Sequence, residues 1–160
     1  MDDVNYFSGK IVLKENSVKM FSGISFEDVI INSNNSSIIF SDCMFHNDLK
    51  IDNANDVLFE NCIFLFDSSN KSVSVNVVSP IISLENVYIN DKERANSVVT
   101  FRCDYFDGFN VSFDTRFNKD SVTNSCLDVV FSKDCKLVDS AIYANNHFYK
   151  VNKPKTKILD

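Results

Sequence analysis

The side chains that could do chemistry are few. Asp104 lies six residues after Val98, and Asp128 lies six residues after Val122. Two carboxylates therefore fall at the same place in successive stretches of chain, with Arg102 and Asp107 nearby. A pair of carboxyl groups about 5–10 Å apart can serve as acid and base, or acid and nucleophile, on a glycosidic bond. Asp104 and Asp128 are thus the candidate catalytic pair, and solvated turn residues are the competing reading. His46 and His147 are the only histidines. Cys43 precedes His46 by three residues, but a small buried thiol packs well in a core and reads as structural. Cys103 and Cys126 are expected to be free thiols, close in space. No Cys-x-x-Cys or His-x-x-x-His occurs, so no metal site is expected. No Gly-rich phosphate loop is present, so no nucleotide cofactor is expected.

Binding chemistry is more visible than catalysis. Glu27, Glu60 and Glu85 are expected to point outward on one flank, ahead of a column of Asn and Asp residues. With Asp56, Asp67, Asp91 and Glu93 they make a candidate acidic stripe. Such a stripe suits the basic nucleic-acid-binding site of another protein, and a solvated face is the competing reading. The net charge of −6 argues against direct nucleic-acid binding, which needs cations to displace counterions from phosphates.

The elements that would carry these residues follow from an internal repeat. The unit is Asn or Asp, then Cys or Val, any residue, and a large apolar residue. It reads Asn61-Cys62-Ile63-Phe64, Asn86-Val87-Tyr88-Ile89, Asn110-Val111-Ser112-Phe113 and Asp134-Cys135-Lys136-Leu137. The steps are 25, 24 and 24 residues, and an earlier copy, Asp42-Cys43-Met44-Phe45, lies 19 before the first. A second register holds the same period at Asp48-Leu49, Ser72-Val73, Ser97-Val98 and Ser121-Val122. A third short run is expected at Val57-Leu58-Phe59, Ile81-Ile82, around Phe106, and Val129-Val130-Phe131. Ile24-Ser25-Phe26 takes the first-strand place at the front, 32–37 reads as a loop insertion, and Ile11-Val12-Leu13 with Asn16 starts the stack. Three β-rich runs per period exclude helical repeats, whose apolar spacing is 3.6 residues. Only 3 Gly and 2 Pro argue against a sandwich of tight hairpins.

In a stack of such units Phe45, Phe64, Ile89, Phe113 and Leu137 would form one interior ladder. Cys43, Cys62, Val87, Val111 and Cys135 would form another column, and Asp42, Asn61, Asn86, Asn110 and Asp134 a corner column. Asn and Asp tolerate the left-handed backbone conformation best after Gly, and their side chains can bond along a stack. The column resembles the asparagine ladder of the pectate-lyase-like right-handed β-helix superfamily. The likeness is architectural, spans about residues 11–151, and is carried by Val57-Leu58-Phe59-Glu60-Asn61-Cys62-Ile63-Phe64 and its copies. It implies an all-β fold: a right-handed parallel β-helix of about six coils with three short strands each. The Asn-Thr-Asp, Gly-His-Gly and Arg-Ile-Lys runs of that superfamily's hydrolases are absent. The Arg-rich, calcium-binding pattern of its lyases is not visible either, which places an enzyme behind a binding protein.

The 160 residues, 44% hydrophobic, are enough for one domain with its own core. Residues 1–10 are expected to cap the stack, 11–151 to form the coils, and 152–160 to be a basic tail bearing Lys153, Lys155 and Lys157. Charge and Pro154 at such an end would guard the open strand edges, or serve a partner as a basic arm. The first residues lack the charged and apolar regions of a secretory signal, no run is long enough for a membrane helix, and reduced thiols point to a cytoplasm. Abundant Asn, Ile, Lys and Ser give the chain a phage or mobile-element flavour. The expected role is a non-catalytic module that binds or inhibits a host protein in the host cytoplasm. The alternative is a virion spike or fibre module, commonly trimeric, that binds or cleaves host polysaccharide.

Overall fold

A computed structural model describes residues 5–66, 72–91, 97–114, 125–143 and 145–152. Within them the chain is all β. The strands are β1 (Asn5–Val12), β2 (Val18–Ser22), β3 (Ile24–Asn32), β4 (Ser37–Ser41), β5 (Met44–Phe45), β6 (Leu49–Asp52) and β7 (Asp56–Glu60), then β8 (Ile63–Phe66), β9 (Val73–Val78), β10 (Ile81–Asp91), β11 (Ser97–Asp114), β12 (Cys126–Val138), β13 (Ala141–Tyr143) and β14 (Asn145–Lys150). All fourteen join one sheet, and the pairings among them are parallel.

The pairings sort into three series. In the first, β2, β4, β7, residues 81–85 of β10, 105–109 of β11 and 134–138 of β12 lie side by side. The second holds the start of β3, β5, β8, the end of β10, the end of β11, and β13. The third holds the end of β3, β6, β9, the start of β11, the start of β12, and β14. Side chains alternate across each strand, so every second residue faces in. The inward ones are large and apolar, and they build two aromatic columns. Phe21, Phe40 and Phe59 stack at 5.4 and 5.0 Å. Phe26, Phe45 and Phe64 stack at 5.2 and 4.6 Å. The columns meet edge to face, as at Phe26–Phe40, the arrangement that ring quadrupoles favour.

The corner between the first and second series is a single left-handed residue: Gly23, Asp42, Asn61, Asn86, Asn110 and Asp139 all have φ between 51° and 66°. The Asn110 amide donates to Asn86 Oδ1 at 2.8 Å, and the Asn86 amide to Asn61 Oδ1 at 3.1 Å. Four members of the expected column thus stand in place, but Asp134 does not. It sits within β12 opposite Tyr105, and Asp139 takes the corner. The last repeat is longer, since Val111 bonds the residue 29 positions on, and a four-residue motif cannot report that length. The interior ladder accordingly ends at Ile142, opposite Phe113, rather than at Leu137. Leu137 instead faces Gly108, whose missing side chain leaves room for it. Cys135 pairs with Phe106 rather than continuing the Cys43 column, which passes to Ser140.

Other registers shift too. Val73 stands opposite Ser97, and Leu49 opposite Val75, so Ser97-Val98 is one residue out of the expected phase and Asp48-Leu49 two. Ser121 and Val122 lie outside the described residues. Val129-Val130-Phe131 belongs to the third series, opposite Phe101 to Cys103, and 134–138 holds the place expected for it. Residues 32–37 are no insertion. Asn34 and Asn35 are left-handed, and the turn bonds its neighbours on both sides: the Asn34 amide donates to Leu13 O at 2.7 Å, and Asn35 N donates to Asn53 O at 2.7 Å. The buried Ser36 hydroxyl donates to Lys14 O at 2.7 Å. Residues 5–10, expected as a cap, form most of β1. Lys19 occupies an inward position of β2, opposite the core residue Ile38, with its Nζ 5.3 Å from the Phe21 ring centroid. The tail residues 153–160 lie outside the described residues.

Candidate functional site

The first series presents the most distinctive outward face. Its strands point Asp56, Glu60, Glu85, Asp107 and Asp134 outward, and among the described residues Lys136 is the one cation in these positions. Between the carboxylates stand exposed large apolar side chains: Ile81 is 43% exposed, Tyr105 47%, Phe109 46% and Val138 49%. Ile81 pairs with Tyr105, and Phe109 lies between Glu85 and Val138. Glu85 in turn pairs with Glu60. Aromatic side chains ringed by polar ones are the composition of a protein-docking patch.

Of the expected acidic stripe, Asp56, Glu60 and Glu85 therefore share one face. Glu27 does not join them. It follows Phe26, where β3 passes from the second series to the third, and its Oε2 accepts the Asn47 amide at 3.0 Å. Asp91 ends β10 in the second series, opposite Phe66. Asp67 and Glu93 lie outside the described residues. Tyr105, Asp107 and Phe109 escaped the sequence reading as a group, although their alternation in Tyr105-Phe106-Asp107-Gly108-Phe109 is the signal of one strand face.

The carboxylate pair is not assembled. Asp128 stands opposite Thr100, while Asp104 lies in a bulge between Cys103 and Tyr105. The register therefore sets Asp128 four positions ahead of Asp104, and the two are not strand neighbours. Each carboxylate is engaged locally. Asp104 Oδ1 accepts the Ser132 hydroxyl. Asp128 Oδ1 is 3.0 Å from His147 Nδ1, and the His147 ring stacks on Tyr149 at 5.6 Å.

The outward face of the third series carries a groove of about 540 Å³ lined by Lys10, Ile30, Asp48, Lys50, Ser74 and Asn76. Two carboxylates beside it hold the backbone: Asp28 Oδ1 accepts Asp48 N at 3.2 Å, and Asp48 Oδ1 accepts Ser74 N at 2.9 Å. The thiols are free, with Cys43, Cys62 and Cys103 buried. Cys43 and Cys62 are neighbours at successive corners, both buried, and each donates to a backbone carbonyl. A thiolate at Cys43 would accept the Cys62 S–H, which draws the Cys43 thiol below its ordinary value, while the same bond and burial push Cys62 far up. Cys103 and Cys126 are not neighbours, because Cys103 faces Phe131 and Cys126 faces Val98. Among the described residues no three His, Cys, Asp or Glu side chains converge to hold a metal ion.

Among the described residues the fold and the site together define an all-β protein built on one parallel sheet, with one outward face that carries exposed apolar side chains and carboxylates. No family model, curated protein or solved structure matches the chain.

Proposed function

We propose that the chain is a right-handed parallel β-helix of about six coils that works as a non-catalytic protein-binding module through its first-series face. The observation that carries this reading is the pairing of exposed Ile81, Tyr105, Phe109 and Val138 with five carboxylates on one flat surface. A rigid sheet holds these side chains in fixed register, so little ordering entropy is lost on docking. The composition suggests a phage or mobile-element product, and the partner in this reading is a host protein whose function the module blocks. A photo-crosslinking residue placed at Asp134, beside Tyr105 on the same face, and, as a control, at Lys50 tests the face. Capture of one defined partner from position 134, lost in Tyr105→Ala and Phe109→Ala, is the expected result. Truncating a central aromatic anchor typically costs about 2 kcal/mol or more, or roughly 30-fold in affinity. Capture only from Lys50 would refute it.

A second reading has its own support. The third-series groove and the Tyr149–His147 ring stack offer polar groups and an aromatic platform to a saccharide. Binding on a glycan array that disappears in Tyr149→Ala, together with a trimeric mass in solution, would favour a spike or fibre module.

A further inference from the structure

Within the proposed docking face, one strand alternates ring, carboxylate and ring. Tyr105, Asp107 and Phe109 all point outward and are exposed, while Phe106 and Gly108 face in. Same-side neighbours on a strand are roughly 6.6 Å apart, so the two rings flank the carboxylate at reach of a single planar cation. Asp107 has no hydrogen-bond or ion-pair partner among the described residues. On the β10 side it adjoins the small Ser83, and Phe109 adjoins Glu85, with Glu60 one strand further. Lys136 lies opposite Asp107 on the β12 side, so an incoming cation has open approach over Ser83.

We propose that this row seats an arginine side chain from a basic surface of the partner. The guanidinium donates two parallel N–H bonds to Asp107, lays its plane against Tyr105 or Phe109, and leaves Glu85 and Glu60 for neighbouring cations. Arginine suits the site better than lysine. Its planar fork matches a carboxylate, it stacks on aromatic faces, and it is more weakly hydrated than an ammonium. The charge balance of the face points the same way, with five carboxylates against Lys136. This inference rests on the reading of the face as a protein-docking surface.

The test uses the full chain, labelled with ¹⁵N, titrated at about 0.15 M salt with hexa-arginine and with hexa-lysine, so that long-range attraction is screened. Saturable shifts at residues 83–85 and 105–109 are expected, with hexa-arginine at least tenfold tighter. Tyr105→Ala and Phe109→Ala combined should erase the preference for arginine while leaving the remaining spectrum in place, and Asp107→Asn should weaken both peptides. Equal affinities, unsaturable shifts, or shifts confined to other faces overturn the proposal. If equal affinities coincide with specific crosslinking from position 134, the docking face stands and arginine recognition falls. If crosslinking fails as well, the docking reading falls with it.

Discussion

The corner residues set the terms at the smallest scale. Asn86 is left-handed and bonds Asn61 on one side and Asn110 on the other. A side chain with Cβ and no local hydrogen bond pays about 1–2 kcal/mol for that conformation, and each lost bond costs about 1 kcal/mol more. Asn86→Ala should therefore destabilise by about 3–4 kcal/mol, and Asn86→Gly by about 1–2 kcal/mol less, since glycine adopts this φ freely. Urea unfolding midpoints of the two variants check this order, and a glycine variant less stable than the alanine one would contradict a strained corner. Backbone preference is also why these positions were legible: Asn61, Asn86 and Asn110 announce the turn by their type alone. Asp134 carried the same letters within a strand, and only the pairing of β12 with Tyr105 reveals it. Buried Cys103 gives a second residue-scale expectation. Burial holds its thiol up to about 12, from an ordinary 9.0. The unfolded chain then releases this proton first as pH rises, so the folded state binds more protons and stability falls between about pH 9 and 12. Wild type should lose up to about 1.4 kcal/mol per pH unit more than Cys103→Val over that window. Parallel stability–pH curves would show that Cys103 does not titrate this way.

At the scale of elements, period-two alternation carried the prediction and register limited it. Phe45, Phe64, Ile89 and Phe113 stack as expected because large residues recur at one phase of short β runs. The proposed docking face was harder to see. Its residues come from β7, β10, β11 and β12, and sequence spacing alone cannot say which outward positions align once repeats differ in length. The acidic stripe shows the effect: Asp56, Glu60 and Glu85 meet, while Glu27 stands on another corner. Strand edges also explain Lys19. An inward-facing charge at the end of a sheet discourages further strands from adding, and this one lies over Phe21 at the exposed side of β2. Lys19→Val should raise concentration-dependent association, read by light scattering, with little change in the unfolding midpoint. A variant that scatters no more than wild type at the same concentrations would assign edge protection elsewhere.

For the molecule as a whole, each strand touches chiefly the equivalent strand before and after it, so stability is close to a sum of neighbour contacts. The sequence showed this linear organisation through its repeat, since a period of about 24 residues with three β runs has few other solutions. It could not show how unequal the ends are. Middle strands bury complete aromatic contacts on both sides, as Phe45 does between Phe26 and Phe64. At the far end, β14 has six residues that are all exposed, and Phe148 within it is 37% exposed. A chain of nearest-neighbour contacts opens most readily where one neighbour is missing. Native-state hydrogen exchange should therefore show graded protection, greatest in β7, β8 and the paired parts of β10, and least in β14. Phe45→Ala, which removes a ring from the middle of a column, should cost about 3–5 kcal/mol and lower protection in strands on both sides. Ile142→Ala near the end should cost less and leave β7 and β8 protected. If all strands exchanged at one rate in both variants, the sheet would be opening as a single cooperative unit, and the neighbour-by-neighbour account of its stability would fail.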